Sequence, residues 1–182
     1  MQISYPHTID NTMGETIIFH AVESHPEGEK VIGENFVAPG VGPVMHTHWL
    51  QDEVFTVISG NLGYERKGEG KNFAGPGETV VFKKGEPHRF WNAGKDILQC
   101  KGYMQPALNS VFFLSALFAA QAKNRSAKPE LFDAAFLLTT YKSEFDLTEL
   151  PLFVKKAVLP AICFIGKCLG KYKKFKNAPG PF

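Results

Sequence analysis

Cysteine is scarce in this chain and poorly placed for its usual structural roles. Only Cys100, Cys163 and Cys168 occur, an odd and widely spaced set with no C-x-x-C pair. Neither a disulfide framework nor a thiolate zinc site is expected, and a reducing compartment fits best. An excess of one charge is also missing. Twenty basic side chains against eighteen acidic ones leave a formal charge of +2, too little to indicate a nucleic-acid partner. The N-terminal stretch MQISYPHTIDNTMGETIIF lacks a basic segment followed by an apolar one, so no secretory signal is read there and the cytoplasm is the expected location. The apolar C-terminal segment is interrupted by lysines and Pro160 and falls short of the roughly 20 uninterrupted residues of a membrane-spanning helix. No internal repeat, low-complexity tract or helix-turn-helix signature is visible.

What is present is the make-up of a globular protein. Apolar residues are 44% and charged residues 21% of 182, enough for one ordinary domain or a small domain with an appendage. The two parts of the chain differ in kind. Up to about residue 105, short β-rich runs such as ETIIFHAV, EVFTVISG and ETVVFKK alternate with Gly, Pro and Asn signals. That rhythm predicts an antiparallel sandwich or barrel. Gly60 and the Gly75 to Gly77 stretch fall where the chain must reverse. From 106 to 182 glycines thin out and segments of helical length take over, predicting an extension of about three helices. PALNSVFFLSALFAAQAKN is apolar nearly all round, as a buried helix is. KPELFDAAFLLTTYK follows, and PLFVKKAVLPAICFIGKCLGKYKKF sets Val154, Val158, Ala161, Ile162, Ile165, Leu169 and Tyr172 on one face. Pro160 is expected to kink this last helix.

One stretch concentrates chemistry: MHTHWLQDEVFTVISG, from Met45 to Gly60. In a strand, residues two apart share a face, so H-T-H delivers His46 and His48 to one side and Thr47 to the other. After a bend, Glu53, Phe55 and Val57 again share a face. If that face is the barrel interior, the carboxylate lies beside the imidazoles. His88, after a Lys-Lys-Gly turn, opens another strand and is a fourth candidate. Three imidazoles and one carboxylate suit a divalent first-row metal, Fe, Mn, Ni, Co, Cu or Zn, with positions left open. Singly, each residue has an ordinary reading: His88 as a satisfied interior ring, Glu53 as a solvated or ion-paired acid. Phe55, Val57 and Phe90, in phase with the candidate ligands, are the expected pocket walls, giving a mainly apolar pocket with one polar end. Trp91 is expected to face outward.

Together these residues resemble a known family. Gly40, His46, His48, Glu53 and Gly60 carry the spacing of the first cupin motif, and Gly77, Gly85, His88 and Asn92 that of the second, with Lys83 where the family pattern has proline. The resemblance covers roughly residues 30 to 105. It implies a small double-sheet β-barrel, the jelly roll or double-stranded β-helix, with His46, His48, Glu53 and His88 as metal ligands. Such barrels often pair, so a homodimer is expected, with the apolar Val111 to Ala120 segment as one surface that a second subunit would cover.

Three functions follow as expectations. The leading one is a mononuclear metal-dependent oxidoreductase of dioxygenase type, acting on a small, largely apolar or aromatic molecule, with Glu53 able to serve as a base in addition to holding metal. The second is a non-catalytic small-molecule-binding module. The third, a sugar isomerase or epimerase, is disfavoured because the inward residues are mostly apolar. Beyond Pro151, seven lysines meet no acidic residue. A basic amphipathic helix can lie on an anionic membrane surface, but packed helices with solvated lysines are the preferred reading.

Overall fold

The structure, a computed structural model, describes residues 3–182. Among the described residues, eleven strands form two antiparallel sheets. One has six strands in the order β1 (His7–Asp10), β2 (Glu15–Glu23), β3 (Lys30–Val37), β10 (Leu98–Gln105), β5 (Asp52–Ser59), β8 (Thr79–Phe82). The other has five, in the order β11 (Phe145–Leu147), β4 (His46–His48), β9 (His88–Asn92), β6 (Leu62–Arg66), β7 (Asn72–Ala74). This is a mainly β jelly roll with C-terminal helices. Period-two alternation places its interior: Glu15 and Phe19 on β2, Val31, Asn35 and Val37 on β3, and Leu98, Cys100 and Met104 on β10 are buried. Gly60 and Gly77 take positive φ of 91° and 86° at chain reversals, as turn glycines do.

Two apolar cores result. Val57, Leu62, Val80, Phe82, Leu98 and Cys100 belong to a core made by barrel strands alone. The other is shared: Phe19, Val31 and Met104 from the barrel meet Phe112, Phe113 and Phe118 of α1 (Ser110–Asn124) and Leu137 of α2 (Leu131–Thr140). The apolar surface of α1 is therefore covered within the chain, and Val111, Phe112, Phe113 and Phe118 are all buried there. That removes the reason for a second subunit on this segment. The segment between α2 and the last helix is not purely helical either, because β11 pairs with β4, Phe145 opposite His48 and Leu147 opposite His46.

Before α3 (Leu159–Cys168) comes a π-helical turn, Val154–Val158. The Leu159 amide donates to the Val154 carbonyl, five residues back. A proline ring crowds the carbonyl four residues before it, and widening the turn ahead of Pro160 relieves that conflict. The consequence is a change of helical phase. Val154 and Val158 are half-buried, whereas Ile165 and Leu169, expected on the same face, are 50% and 62% exposed. The helix approaches α2 at Gly166. A Cβ at Gly166 would lie 2.9 Å from the Phe132 ring, so the missing side chain permits the approach.

Candidate metal centre and its cavity

His46 and His48 leave β4 on one side, as alternation requires, and the antiparallel register sets His88 of β9 directly opposite His46. Glu53, at the start of β5, faces the same interior from the other sheet. One nitrogen or oxygen from each of the four residues lies within 4.8 Å of every other. His88 Nε2 is 3.0 Å and His48 Nε2 3.8 Å from Glu53 Oε2. Ligands about 2.1 Å from an ion lie about 3.0 Å apart at right angles and about 4.2 Å apart across it, so the cluster has the dimensions of a slightly relaxed coordination sphere.

Hydrogen bonds orient the rings. Nδ1 of His46 donates to the Val44 carbonyl at 2.8 Å, and Nδ1 of His88 to the Glu86 carbonyl at 2.8 Å. A carbonyl only accepts, so the proton sits on Nδ1 and the Nε2 lone pair is directed into the cluster. Neutral His88 would then face Glu53 lone pair to lone pair at 3.0 Å, a contact that requires a cation or a second ring proton. His48 is 4% exposed and neither of its ring nitrogens has a hydrogen-bond partner, a costly state for a buried polar group unless it serves a ligand. Phe82 stacks on His88 at 4.0 Å between centroids and Phe145 meets His48 edge-on at 5.4 Å.

Electrostatics point the same way. Burial pushes the His46 imidazole down to about 4 and the His48 imidazole down to about 3, so both are unprotonated donors at neutral pH. Burial alone would raise the Glu53 carboxyl, but positive charge carried by the cluster, as a ring proton on His48 or His88 or as a bound cation, outweighs it and holds the group below the usual carboxylate range. An anionic carboxylate beside the unprotonated His46 and His48 rings, with the Nε2 of His88 turned to the same point, is a donor set suited to a divalent first-row metal.

The second motif's missing proline has a local substitute. Lys83 Nζ donates to Asp52 Oδ2 at 2.7 Å and the Lys84 amide to Asp52 Oδ1 at 2.8 Å, while the Gly85 amide donates to the His48 carbonyl at 2.7 Å. The turn is thus tied to both ligand strands by hydrogen bonds in place of a rigid ring.

The cluster borders a cavity of about 480 Å³. Phe55 and Phe90 line it; Val57 packs in the barrel core instead, 1% exposed. Alternation gave all three an inward direction but not their depth along the barrel. Helix residues absent from the sequence reading close the cavity, among them Phe113, Leu117 and Phe118 of α1 and Leu138 of α2. Gly33 and Gly102, paired across β3 and β10, form part of the wall. A Cβ at Gly102 would lie 2.0 Å from the Val54 carbonyl oxygen, so side chains are excluded from this wall. Trp91 lies on the outer surface, half-buried, edge-on to Phe73 at 6.3 Å. Gln99, 3.4 Å from Glu34, and exposed Lys101 also belong to the outer face.

Among the polar residues outside both motifs that join the lining, Glu15 and Asn35 are buried and paired. Asn35 Nδ2 donates to Glu15 Oε1 at 3.0 Å, and Asn35 Oδ1 is buried without a partner. Whichever way the amide is turned, a protonated Glu15 and Asn35 together offer one donor and one acceptor, the pattern a hydroxyl group satisfies. Their sequence signal was a carboxylate in phase with Ile17 and Phe19, an inward acid on an apolar strand.

Glu15 also carries a pH prediction. Burial, opposed by the Asn35 hydrogen bond, pushes its carboxyl from 4.5 up to about 7. The folded protein therefore keeps a proton that the unfolded chain gives up. The stabilisation is complete below pH 4.5 and is lost as pH rises through about 7. Between pH 5 and 8 the wild type is expected to lose about 1–3 kcal/mol relative to Glu15→Gln, which keeps the shape without the titration. Urea unfolding of both proteins at the two pH values measures this, and parallel profiles would refute it.

Residues 36–101 match the family model described as the cupin domain, and the chain carries a cupin domain over this segment. Over this segment the fold is the double-sheet barrel of a cupin domain, and the four converging side chains form a His-His-Glu-His cluster suited to a divalent metal. No curated protein matches the chain in sequence. Among solved structures, the chain is similar to an uncharacterized conserved protein with a double-stranded beta-helix domain from Klebsiella pneumoniae subsp. pneumoniae MGH 78578, with 20% identity over 58% of this chain and 78% of that one, at a TM-score of 0.42. It is similar to KdgF from Halomonas sp., with 19% identity over 58% and 92% of the two chains and a TM-score of 0.46. The Schizosaccharomyces pombe Cnp3 cupin domain shows 12% identity over 48% of this chain at a TM-score of 0.42, and the match spans 63% of that chain.

Proposed function

We propose that His46, His48, Glu53 and His88 hold a divalent first-row transition metal and that the protein is a mononuclear metal-dependent oxidoreductase, dioxygenase-like, acting on a small, largely apolar or aromatic molecule. The observation that carries this reading is the position of the buried four-residue cluster at one side of a mainly apolar cavity of about 480 Å³. Such a metal, when bound, supplies exchangeable positions and redox chemistry in a site shielded from water.

The chain's own residues do the rest. Val44 and Glu86 carbonyls fix the tautomers of His46 and His88. Phe55, Phe90, Phe113 and Phe145 line the cavity and exclude water from a planar apolar substrate. Glu53 Oε2 points at the three rings, 3.0 Å from His88 Nε2 and 3.8 Å from His48 Nε2, leaving Oε1 to take a proton from a substrate hydroxyl. Glu15 and Asn35 receive a second hydroxyl, so the favoured ligand is an apolar body with an oxygen function toward the metal and a hydroxyl elsewhere. A polyhydroxylated sugar would find few partners on these walls.

The test is oxygen uptake by protein loaded anaerobically with ferrous iron and then offered a panel of phenols. Metal-dependent oxygen consumption with at least one phenol is the expected result. Ligand binding without turnover under every first-row metal would replace the oxidoreductase with a binding module.

A further inference from the structure

The face of α3 that the sequence pattern assigns to a core is turned to solvent. Leu152, Phe153, Phe164, Ile165 and Leu169 are 64%, 70%, 69%, 50% and 62% exposed. In the regular turns, Ala161, Phe164 and Ile165 fall on the side of the helix turned away from the buried pair Leu159 and Gly166, and Leu169 at the helix end carries the exposed apolar surface one turn beyond Ile165. With Phe153 one π-helical turn and one regular turn earlier, the stripe runs for roughly 24 Å. Scattered exposed leucines are normal on a surface, but one helix side that exposes two phenylalanines together with Leu152, Ile165 and Leu169 is not.

Charge tells what this ridge meets. Exposed Lys156 and Lys167 stand eleven positions, or three turns, apart along one border of the stripe, with exposed Lys171 and Lys173 just beyond the helix end. Lys155 and Lys174 are neutralised by Asp146 and Asp133, and the chain from Pro151 onward supplies no acid of its own. We propose that α3 is a membrane-surface anchor: its apolar ridge enters the boundary of an anionic bilayer while the bordering lysines contact lipid headgroups. A helix with this division of faces lies in the interface plane and does not cross it, and no helix among the described residues is long and apolar enough to span a bilayer. A second copy of the chain is the poorer occupant, because a symmetric contact through α3 would bring two lysine borders together without a counter-charge. The inference stands independently of the metal.

The experiment is co-sedimentation of the full chain with vesicles of phosphatidylcholine, with and without phosphatidylglycerol, at low and high salt. Binding is expected on the anionic vesicles, weakening as salt rises. Phe153→Ser with Phe164→Ser should lower it at least tenfold without shifting the melting temperature, since neither ring is buried, and Lys156→Gln and Lys167→Gln by about fivefold each. Absence of binding to anionic vesicles would overturn the proposal. So would binding that ignores the serine pair, or a stable solution dimer that the serine pair dissociates.

Discussion

His48→Ala is expected to lower the affinity for a divalent first-row metal by at least about 100-fold, more than the loss of an orienting group outside the ligand set typically costs. The ring is 4% exposed and holds two nitrogens without other partners, so its lone pair has no protein use that the substitution would disturb. His20→Ala, an exposed imidazole on β2, should leave affinity unchanged. Metal content of the isolated proteins and competition against a chelating dye measure the effect. Both variants are expected to melt near the wild type in chelator, because the removed His48 side chain gives up ring contacts but no hydrogen bond. Equal metal content in wild type and His48→Ala would refute the ligand assignment.

Glu144→Ala should cost about 3 kcal/mol, the scale for removing one partner from a buried charged network. Glu144 is fully buried. Its carboxylate accepts from Asn109 Nδ2 at 2.7 Å, from the Asn109 amide at 3.3 Å and from Gln51 Nε2 at 3.3 Å. Its carbonyl accepts from the Trp49 amide at 2.8 Å. One residue therefore ties the start of α1 to both sides of the bend between His48 and Glu53. The backbone bond survives substitution, but the side-chain donors lose their acceptor inside the protein. For a chain of this size the cost corresponds to a melting temperature lower by about 6–12 °C. Thermal unfolding followed by circular dichroism checks it, and a shift under about 2 °C would show that the network is not structural. Glu144→Gln keeps one acceptor and should fall between.

The four-residue cluster was legible because its signal is local and geometric. Alternation puts His46 and His48 on one side, and the close spacing to Glu53 leaves room for a single bend. Depth was not legible: Val57 shares the phase of Phe55, yet packs in the core beyond the cavity, since period two gives direction and not distance along the barrel. Phe145–Leu147 is too short to show alternation and lies in a region of helical character, so its pairing with β4 left no trace in the pattern. The phase of α3 failed for a different reason. A kink at Pro160 was expected but with regular 3.6-residue spacing on both sides of it, and the one-residue insertion of the π turn moves the following side chains around the axis. Glu144 left no signal because its partners are distant in sequence, and the phase of Glu15 with Ile17 and Phe19 gave its direction but not its partner Asn35, twenty residues on.

The pairing of β11 with β4 also constrains the order of events during synthesis. All four cluster residues lie within the first 88 positions, but the outer edge of their strand stays open until residues 145–147 have left the ribosome. The nascent barrel thus has a bare β-edge beside its imidazoles while more than fifty residues are added, and an open edge is a template for pairing with other chains.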